Sequence, residues 1–180
     1  MITAHIYIAV SLDGFIARED GDLDWLMKQA VEGEEHGYDA FMDTIDGIVM
    51  GRNSYEKVLT FGDWPYKKPV VVLSRSMSPA DIPAELADRV SVSSKTPEGV
   101  LTELAEIGWR SVYVDGGQII QAFLRAGLVK DMLLTRIPIL LGTGIPLFGP
   151  LEQDIDLHHM ETVPYPSGLV SSKYEILKKT

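Results

Sequence analysis

The stretch Gly47-Ile48-Val49-Met50-Gly51-Arg52-Asn53-Ser54-Tyr55-Glu56-Lys57-Val58-Leu59 reads as a short buried strand, a glycine and a helix. Gly47 to Met50 has no polar side chain, as expected of a strand covered on both faces. Gly51 ends it, and Ser54 to Leu59 looks helical. The same unit recurs downstream. Ser111-Val112-Tyr113-Val114 passes through Asp115-Gly116-Gly117 into a helix that runs from Gly117 to Ala126, with Gly127 as its C-cap glycine. Between the two units, Pro69 to Leu73 is a buried strand closed by Ser74-Arg75, and Val90-Ser91-Val92 is a short strand. Thr96-Pro97-Glu98 then opens a helix that ends near Gly108: threonine as N-cap, proline in the first turn, acid at the positive end.

Upstream, Ile6 to Val10 reads as a strand that stops at the turn Ser11-Leu12-Asp13-Gly14. Asp24 is placed to cap a helix beginning at Trp25, and a second helical stretch lies near His36 to Ile45. Downstream come Met132 to Ile137 and two late strands, near Leu157 to Val163 and Val170 to Leu177. Strands alternating with helices predict an α/β fold with a mostly parallel sheet. The last two strands have no helix between them and predict an antiparallel edge.

The chain has 180 residues, 46% hydrophobic and 23% charged, and carries no internal repeat or low-complexity linker, so a single domain over residues 1–180 is expected. It has no cysteine, which excludes disulfides, cysteine-based zinc sites, Fe–S clusters and a thiol nucleophile. With 16 basic and 26 acidic residues the net charge is −10, which argues against a nucleic-acid surface and requires any anion site to be local. No apolar run is long enough to span a membrane, and the N-terminus lacks the basic flank of a secretory signal, so a cytoplasmic protein is expected.

In an open α/β sheet, ligands bind beyond the carboxyl ends of the strands. Met50-Gly51-Arg52-Asn53-Ser54 joins a glycine that admits close backbone approach to a forked guanidinium and a helix N-terminus. Asp115-Gly116-Gly117-Gln118 is a second strand-glycine-helix junction, Leu73-Ser74-Arg75 supplies a hydroxyl and a guanidinium, and Lys95 follows Ser93-Ser94. Two helix N-termini with two or three basic groups on an acidic protein make a local anion site that would suit a dinucleotide, with Ser74 and Arg75 placed for the further 2′-phosphate if the dinucleotide is NADPH. G-x-G-x-x-G after the first strand, G-x-x-x-x-G-K-[ST], H-E-x-x-H and G-x-S-x-G are all absent, and no metal site is expected. Gly142-Thr143-Gly144, leading into Ile145-Pro146, reads as a plain turn.

Four segments occur in order: Ala9-Val10-Ser11-Leu12-Asp13-Gly14-Phe15-Ile16-Ala17, Met50 to Glu56, Val72-Leu73-Ser74-Arg75, and Asp115-Gly116-Gly117. Together with Ile137-Pro138-Ile139-Leu140-Leu141-Gly142 and Pro146-Leu147-Phe148 they resemble the dihydrofolate reductase-like superfamily, and within it the C-terminal reductase domain of the bifunctional riboflavin-biosynthesis deaminase/reductase in stand-alone form. The resemblance implies a three-layer α/β/α fold with NADPH across the carboxyl edge, and often a homodimer. It places Ala9 and Ile16 at the nicotinamide carboxamide and Gly51, Arg52, Asn53 and Ser54 at the phosphate turn. Leu73, Ser74 and Arg75 fall at the adenosine and its 2′-phosphate, Ser94 and Lys95 near adenine, and Gly116, Gly117, Gln118 and Ile119 at the pyrophosphate.

The implied reaction is hydride transfer to a pyrimidine- or pterin-like heterocycle, with a ribosylaminopyrimidine of the riboflavin pathway as the named substrate. A sugar phosphate would need further basic groups, for which Arg136, Lys28 and Lys67 are the candidates. Dihydrofolate reductases place an acid on the first helix after the opening loop. Here Glu35, His36 and Asp39 compete for that role, with Asp39 the candidate proton donor, and Thr135 matches the threonine that supports the acid. Trp25 and Phe41 are candidate walls for a flat substrate, and Phe61 to Tyr66 a candidate cover. The competing readings are dihydrofolate reduction, a nucleotide-binding module without turnover, and an interaction protein.

Overall fold

A computed structural model of the chain describes residues 1–178. Its eight-stranded sheet has the order β5-β4-β3-β6-β1-β7-β10-β9. The strands are β1 (Thr3–Ser11), β3 (Gly47–Gly51), β4 (Val70–Leu73), β5 (Val90–Ser93), β6 (Ser111–Asp115), β7 (Val129–Ile137), β9 (Leu157–Pro164) and β10 (Val170–Ile176). β5 through β7 are parallel, and β10 and β9 complete the sheet as the antiparallel pair at its edge. The fold is the mixed α/β sandwich with a mostly parallel sheet that the sequence predicts. A two-stranded ribbon of β2 (Phe15–Ala17) and β8 (Ile145–Pro146) stands beside it, so the segment after Gly142-Thr143-Gly144 is a strand and not only a turn.

Among the described residues five α-helices accompany the sheet: α1 (Asp24–Met27), α2 (Tyr38–Asp43), α3 (Arg52–Leu59), α4 (Pro97–Glu106) and α5 (Gly117–Arg125). Alternation along the strands divides the core. Ala4, Ile6 and Val10 of β1 join Val49, Val71, Val112 and Val114 beneath α4 and α5. Ile48, Met50, Val70, Val72 and Tyr113 join Tyr55, Phe41 and Met42 on the opposite face. The α4 N-cap is as expected, Thr96 Oγ1 accepting from Gly99 N at 3.2 Å. Two elements differ from the sequence expectation. Asp24 is the first residue of α1, with Leu23 as N-cap, and its carboxylate pairs with Arg18 Nε at 2.5 Å. α2 is only six residues long and buries none of them.

Candidate functional site

The parallel strands end together at one sheet edge, where β3 and β6 pass into α3 and α5. Neither helix is capped by a side chain, so their first-turn N–H groups remain available to an anion. Gly116 has φ of +95°, and a Cβ there would collide with Ser54 Oγ. A Cβ on Gly51 would lie 2.9 Å from Ile119 Cγ1, and one on Gly117 3.0 Å from Ile16 Cδ1. The two glycine junctions and the ribbon residue Ile16 therefore meet as one surface, kept open by missing side chains. Asn53 and Gln118, one at the start of each helix, are exposed.

At the flank of this cradle, Arg52 pairs with Glu56 (Nε to Oε1, 2.6 Å) and reaches Ser76 Oγ at 3.1 Å. Ser74 Oγ accepts from the N–H groups of Ser76 and Met77, each at 3.2 Å, which shapes the turn after Leu73. Arg75 is exposed and in no salt bridge among the described residues. Lys95 is drawn to α4, its Nζ 2.5 Å from Glu103 Oε1, while Ser94 is exposed beside it. Residues 91–95, Val71, Val100 and Leu104 line a groove between β5 and α4.

The other end of the edge is closed by the opening turn. Asp13 accepts from Ser11 Oγ (2.6 Å), Leu141 N (3.1 Å) and Gly142 N (2.7 Å), and the Ser11 hydroxyl above all holds its carboxyl down at about 2. Ser11 Oγ in turn accepts from Phe15 N at 2.9 Å. Ala9 is half-buried and opposite Thr135, whose buried Oγ1 lies 2.7 Å from Ser171 Oγ. Thr135 thus closes on β10 and not on an acid of α2. Phe41 packs its ring at 5.1 Å from Tyr7 and 5.3 Å from Tyr113, at the edge of the second core cluster.

Trp25 corrects the sequence reading. It has no exposed surface and packs against Ile137 and Leu169, below Ala9, so it is part of the core and not a substrate wall. Leu26 of the same short helix packs on that cluster as well. Trp64 and Tyr66 likewise pack on the second core cluster, and Phe61 is exposed. Asp39 stands exposed in the first turn of α2. Arg136, Lys28 and Lys67 do not converge: Arg136 reaches Ser172 and Tyr174 at 3.4 Å on the α5 side of the sheet, Lys28 follows α1 beside Asp24, and Lys67 precedes β4 at the far end of the strands.

The residue that the sequence reading passed over is Asp115. It lies at the last position of β6, against the cradle glycine, and burial pushes its carboxyl up, partly offset by Gly116 N–H and the Tyr113 hydroxyl. Tyr113 donates to the Tyr7 carbonyl at 2.9 Å, and Tyr7 to the His36 carbonyl at 2.8 Å. Burial pushes the Tyr7 hydroxyl up to about 12 and also raises those of Tyr66 and Tyr113. The signal was present as an acid between Val114 and a Gly-Gly pair, but its burial depends on which way Tyr113 and Asp115 face. No three His, Asp or Glu side chains converge as a metal site, and no helix is long and apolar enough to cross a membrane, among the described residues.

Comparison with known proteins agrees with this geometry. The family described as the RibD C-terminal domain matches residues 5–171. The chain is 35% identical to YwjB of Bacillus subtilis (strain 168) over 157 residues, which is 84% of this chain and 86% of that one. It is 28% identical to YyaP of the same organism over 181 residues, 93% and 91% of the two chains, and both relatives are uncharacterised. A crystal structure from Shewanella sp. PV-4, provisionally assigned to riboflavin biosynthesis, superposes with a TM-score of 0.93 at 38% identity, covering 98% of this chain and all (100%) of that one. The diaminohydroxyphosphoribosylaminopyrimidine deaminase/5-amino-6-(5-phosphoribosylamino)uracil reductase of Thermotoga maritima shares the fold at a TM-score of 0.74 and 16% identity, with 98% of this chain spanning 57% of that protein. The match over residues 5–171, on a sheet whose carboxyl edge carries the paired glycine junctions, shows that the chain belongs to the RibD C-terminal domain family.

Proposed function

We propose that this chain is an NADPH-dependent oxidoreductase that reduces a pyrimidine- or pterin-like heterocycle, of the type named for the Thermotoga maritima fold neighbour, 5-amino-6-(5-phosphoribosylamino)uracil reductase. The observation that carries the reading is the contiguous cradle of Gly51, Ser54, Gly116 and Gly117, open to two uncapped helix N-termini. A dinucleotide fits it: the pyrophosphate over the α3 and α5 N-termini beside Asn53, Gln118 and Ile119, the adenosine along Leu73, Ser74 and Ser94, and the 2′-phosphate at Arg75 and Arg52. The backbone of Ala9 and Ile16 would hold the carboxamide. When bound, reduced nicotinamide supplies the hydride.

The chain itself aligns and encloses. Asp13 fixes the opening turn against residues 141–142, and Gln121 Nε2 donates to the Pro146 and Leu147 carbonyls at 3.3 and 3.2 Å, holding the ribbon to α5. A C=N or C=O acceptor also takes a proton, for which Asp39 at the surface and Asp115 within the edge are the candidates. The pairing of Thr135 with Ser171, and not with an acid of α2, weighs against the dihydrofolate alternative. A cytoplasmic location and a homodimer, with no nucleic-acid or membrane partner, complete the proposal. The test is loss of reduced-nicotinamide absorbance when purified protein meets NADPH and the aminouracil or dihydropterin. Turnover supports the reading. NADPH binding without turnover across heterocycles supports a nucleotide-binding module instead.

A further inference from the structure

Residues 28–37 join α1 to α2 and are mostly exposed, with Gln29, Glu34 and His36 half-buried. The backbone bonds of this segment are local turns, such as Lys28 N to Asp24 O at 3.1 Å and Glu34 N to Val31 O at 3.2 Å. Glu34 and His36 fasten it to the body of the protein. Glu34 accepts from the Ser167 hydroxyl through Oε1 and from Ser167 N through Oε2 at 3.1 Å. His36 Nε2 lies 2.9 Å from the same Glu34 Oε1, and its ring meets the Tyr165 ring edge-on at 4.6 Å. The His36 carbonyl accepts from the Tyr7 hydroxyl at 2.8 Å. The Ser167 hydroxyl above all holds the Glu34 carboxyl below its ordinary value, so at neutral pH the ionised carboxylate makes this contact.

Ser167 belongs to the turn between β9 and β10, where Gly168 N donates to the Tyr165 carbonyl at 2.9 Å and Tyr165 N to the Leu169 carbonyl at 2.8 Å. Tyr165 and Leu169 pack with Trp25, Ile137 and Ala9, and β10 begins at Val170 opposite Arg136, itself opposite Val10 of β1. The fastening therefore stands at the carboxyl ends of β1 and β7, next to Ala9. β4 and β5, which carry Arg75 and Lys95 at their ends, lie on the far side of β3 and β6. Gly33 and Gly37 bracket residues 34–36, each at φ of +81° with open space around it, so backbone conformation and not crowding calls for glycine. An exposed segment with few buried contacts and one charged fastening opens locally, well before the core does.

We propose that residues 34–36 are a flap that swings on Gly33 and Gly37, latched by Glu34 on Ser167, and that it admits the heterocycle to the nicotinamide end of the edge; this rests on the reductase reading. Closed, the flap lays His36 against Tyr7 and Tyr165, beside the Ala9 backbone that would hold the carboxamide. Open, it releases the carboxylate, the imidazole and the His36 carbonyl together, because one short stretch of chain carries all three. Glu34 and Ser167 are positioning residues: they govern passage of the heterocycle and leave the adenosine half of the cofactor alone.

Hydrogen exchange and stopped-flow binding on the full chain test it, with wild type, Ser167→Ala and Glu34→Gln. Ser167→Ala also loses the Leu169 N contact at 3.3 Å, which Glu34→Gln keeps, so the two variants share only the weakened latch. In both, the amides of residues 34–37 should exchange roughly fivefold or more faster than in wild type, with β1 and β7 unchanged. The kinetic probe is 5-amino-6-(5-phosphoribosylamino)uracil added to NADP+-saturated protein and followed by tryptophan fluorescence. Association and dissociation should both rise by about threefold or more in Ser167→Ala, with a smaller change in Kd and with NADP+ rates as in wild type. Wild-type exchange at residues 34–37 should slow when the aminouracil binds, which decides the matter even where a variant does not fold. Unchanged exchange in the variants, no slowing in the wild type, unchanged heterocycle rates, or a rise in dissociation alone overturns the proposal. Failure of NADP+ or of the aminouracil to bind counts against the reductase reading instead, and the exchange comparison still decides the latch.

Discussion

The Ser54 hydroxyl occupies the space that a Cβ on Gly116 would need, so the loop after β3 and the loop after β6 form one surface. Gly116 is also at φ +95°, where an L side chain is strained. Gly116→Ala should therefore lower stability by about 1–3 kcal/mol and weaken NADPH binding by roughly tenfold or more as Ser54 is displaced. Denaturant titration and a cofactor titration on the same variant check the two effects separately.

Trp25 offers a test of its reassignment to the core. Its indole N–H is buried with no hydrogen-bond partner among the described residues. Trp25→Phe removes that unpaired donor and should change stability by less than about 1.5 kcal/mol, whereas Trp25→Ala should cost about 3–5 kcal/mol. Heterocycle affinity of the folded Phe variant should match wild type. A large loss of affinity in Trp25→Phe at unchanged stability would return the residue to the site.

Asp13 ties the opening turn to residues 141–142. Its folded value of about 2 lies below the ordinary 3.8, so its contribution is complete above the ordinary value and is lost as pH falls toward 2. Asp13→Ala should speed hydrogen exchange at the Leu141 and Gly142 amides at neutral pH. In the wild type the same amides should loosen only at the acidic end, below about pH 4.

Asp115 has the opposite sign. Burial raises its folded value above the ordinary 3.8, so the folded state holds the proton more tightly than the unfolded chain and stability falls as pH rises through that window. The groups facing it are the hydroxyls of Tyr113, Tyr66 and Tyr38 and the Gly116 N–H, none of them a cation. Asp115→Asn should thus gain in melting temperature relative to wild type as pH is raised from about 4 to about 8. A difference between the two proteins that does not change with pH would contradict the assignment.

Much of this fold is visible in local sequence. Apolar runs such as Gly47–Met50 and Val112–Val114 are strands because both faces are covered, and Thr96-Pro97-Glu98 starts α4 by side-chain chemistry confined to one turn. The late strand pair was legible because nothing helical separates Leu157–Val163 from Val170–Leu177. The ribbon of Phe15–Ala17 and Ile145–Pro146 was not, since its pairing joins segments about 130 residues apart and each is too short to show periodicity. The glycines of the cradle could be read as loops that admit a ligand, but their mutual contact is tertiary. Asp115 and Trp25 show the limit most clearly: an acid next to Gly-Gly and a tryptophan after a turn each suit several environments, and only the packing of β6 and α1 decides between them.

The central claim is that the carboxyl edge is a site for NADPH, with Arg75 reading the 2′-phosphate. The most direct measurement is a parallel calorimetric titration of wild type and Arg75→Ala with NADPH and NADH. The account predicts that wild type prefers NADPH by roughly tenfold or more, and that Arg75→Ala loses about that factor for NADPH while NADH affinity stays the same. Equal affinity of wild type for the two cofactors, or binding of neither, would contradict it.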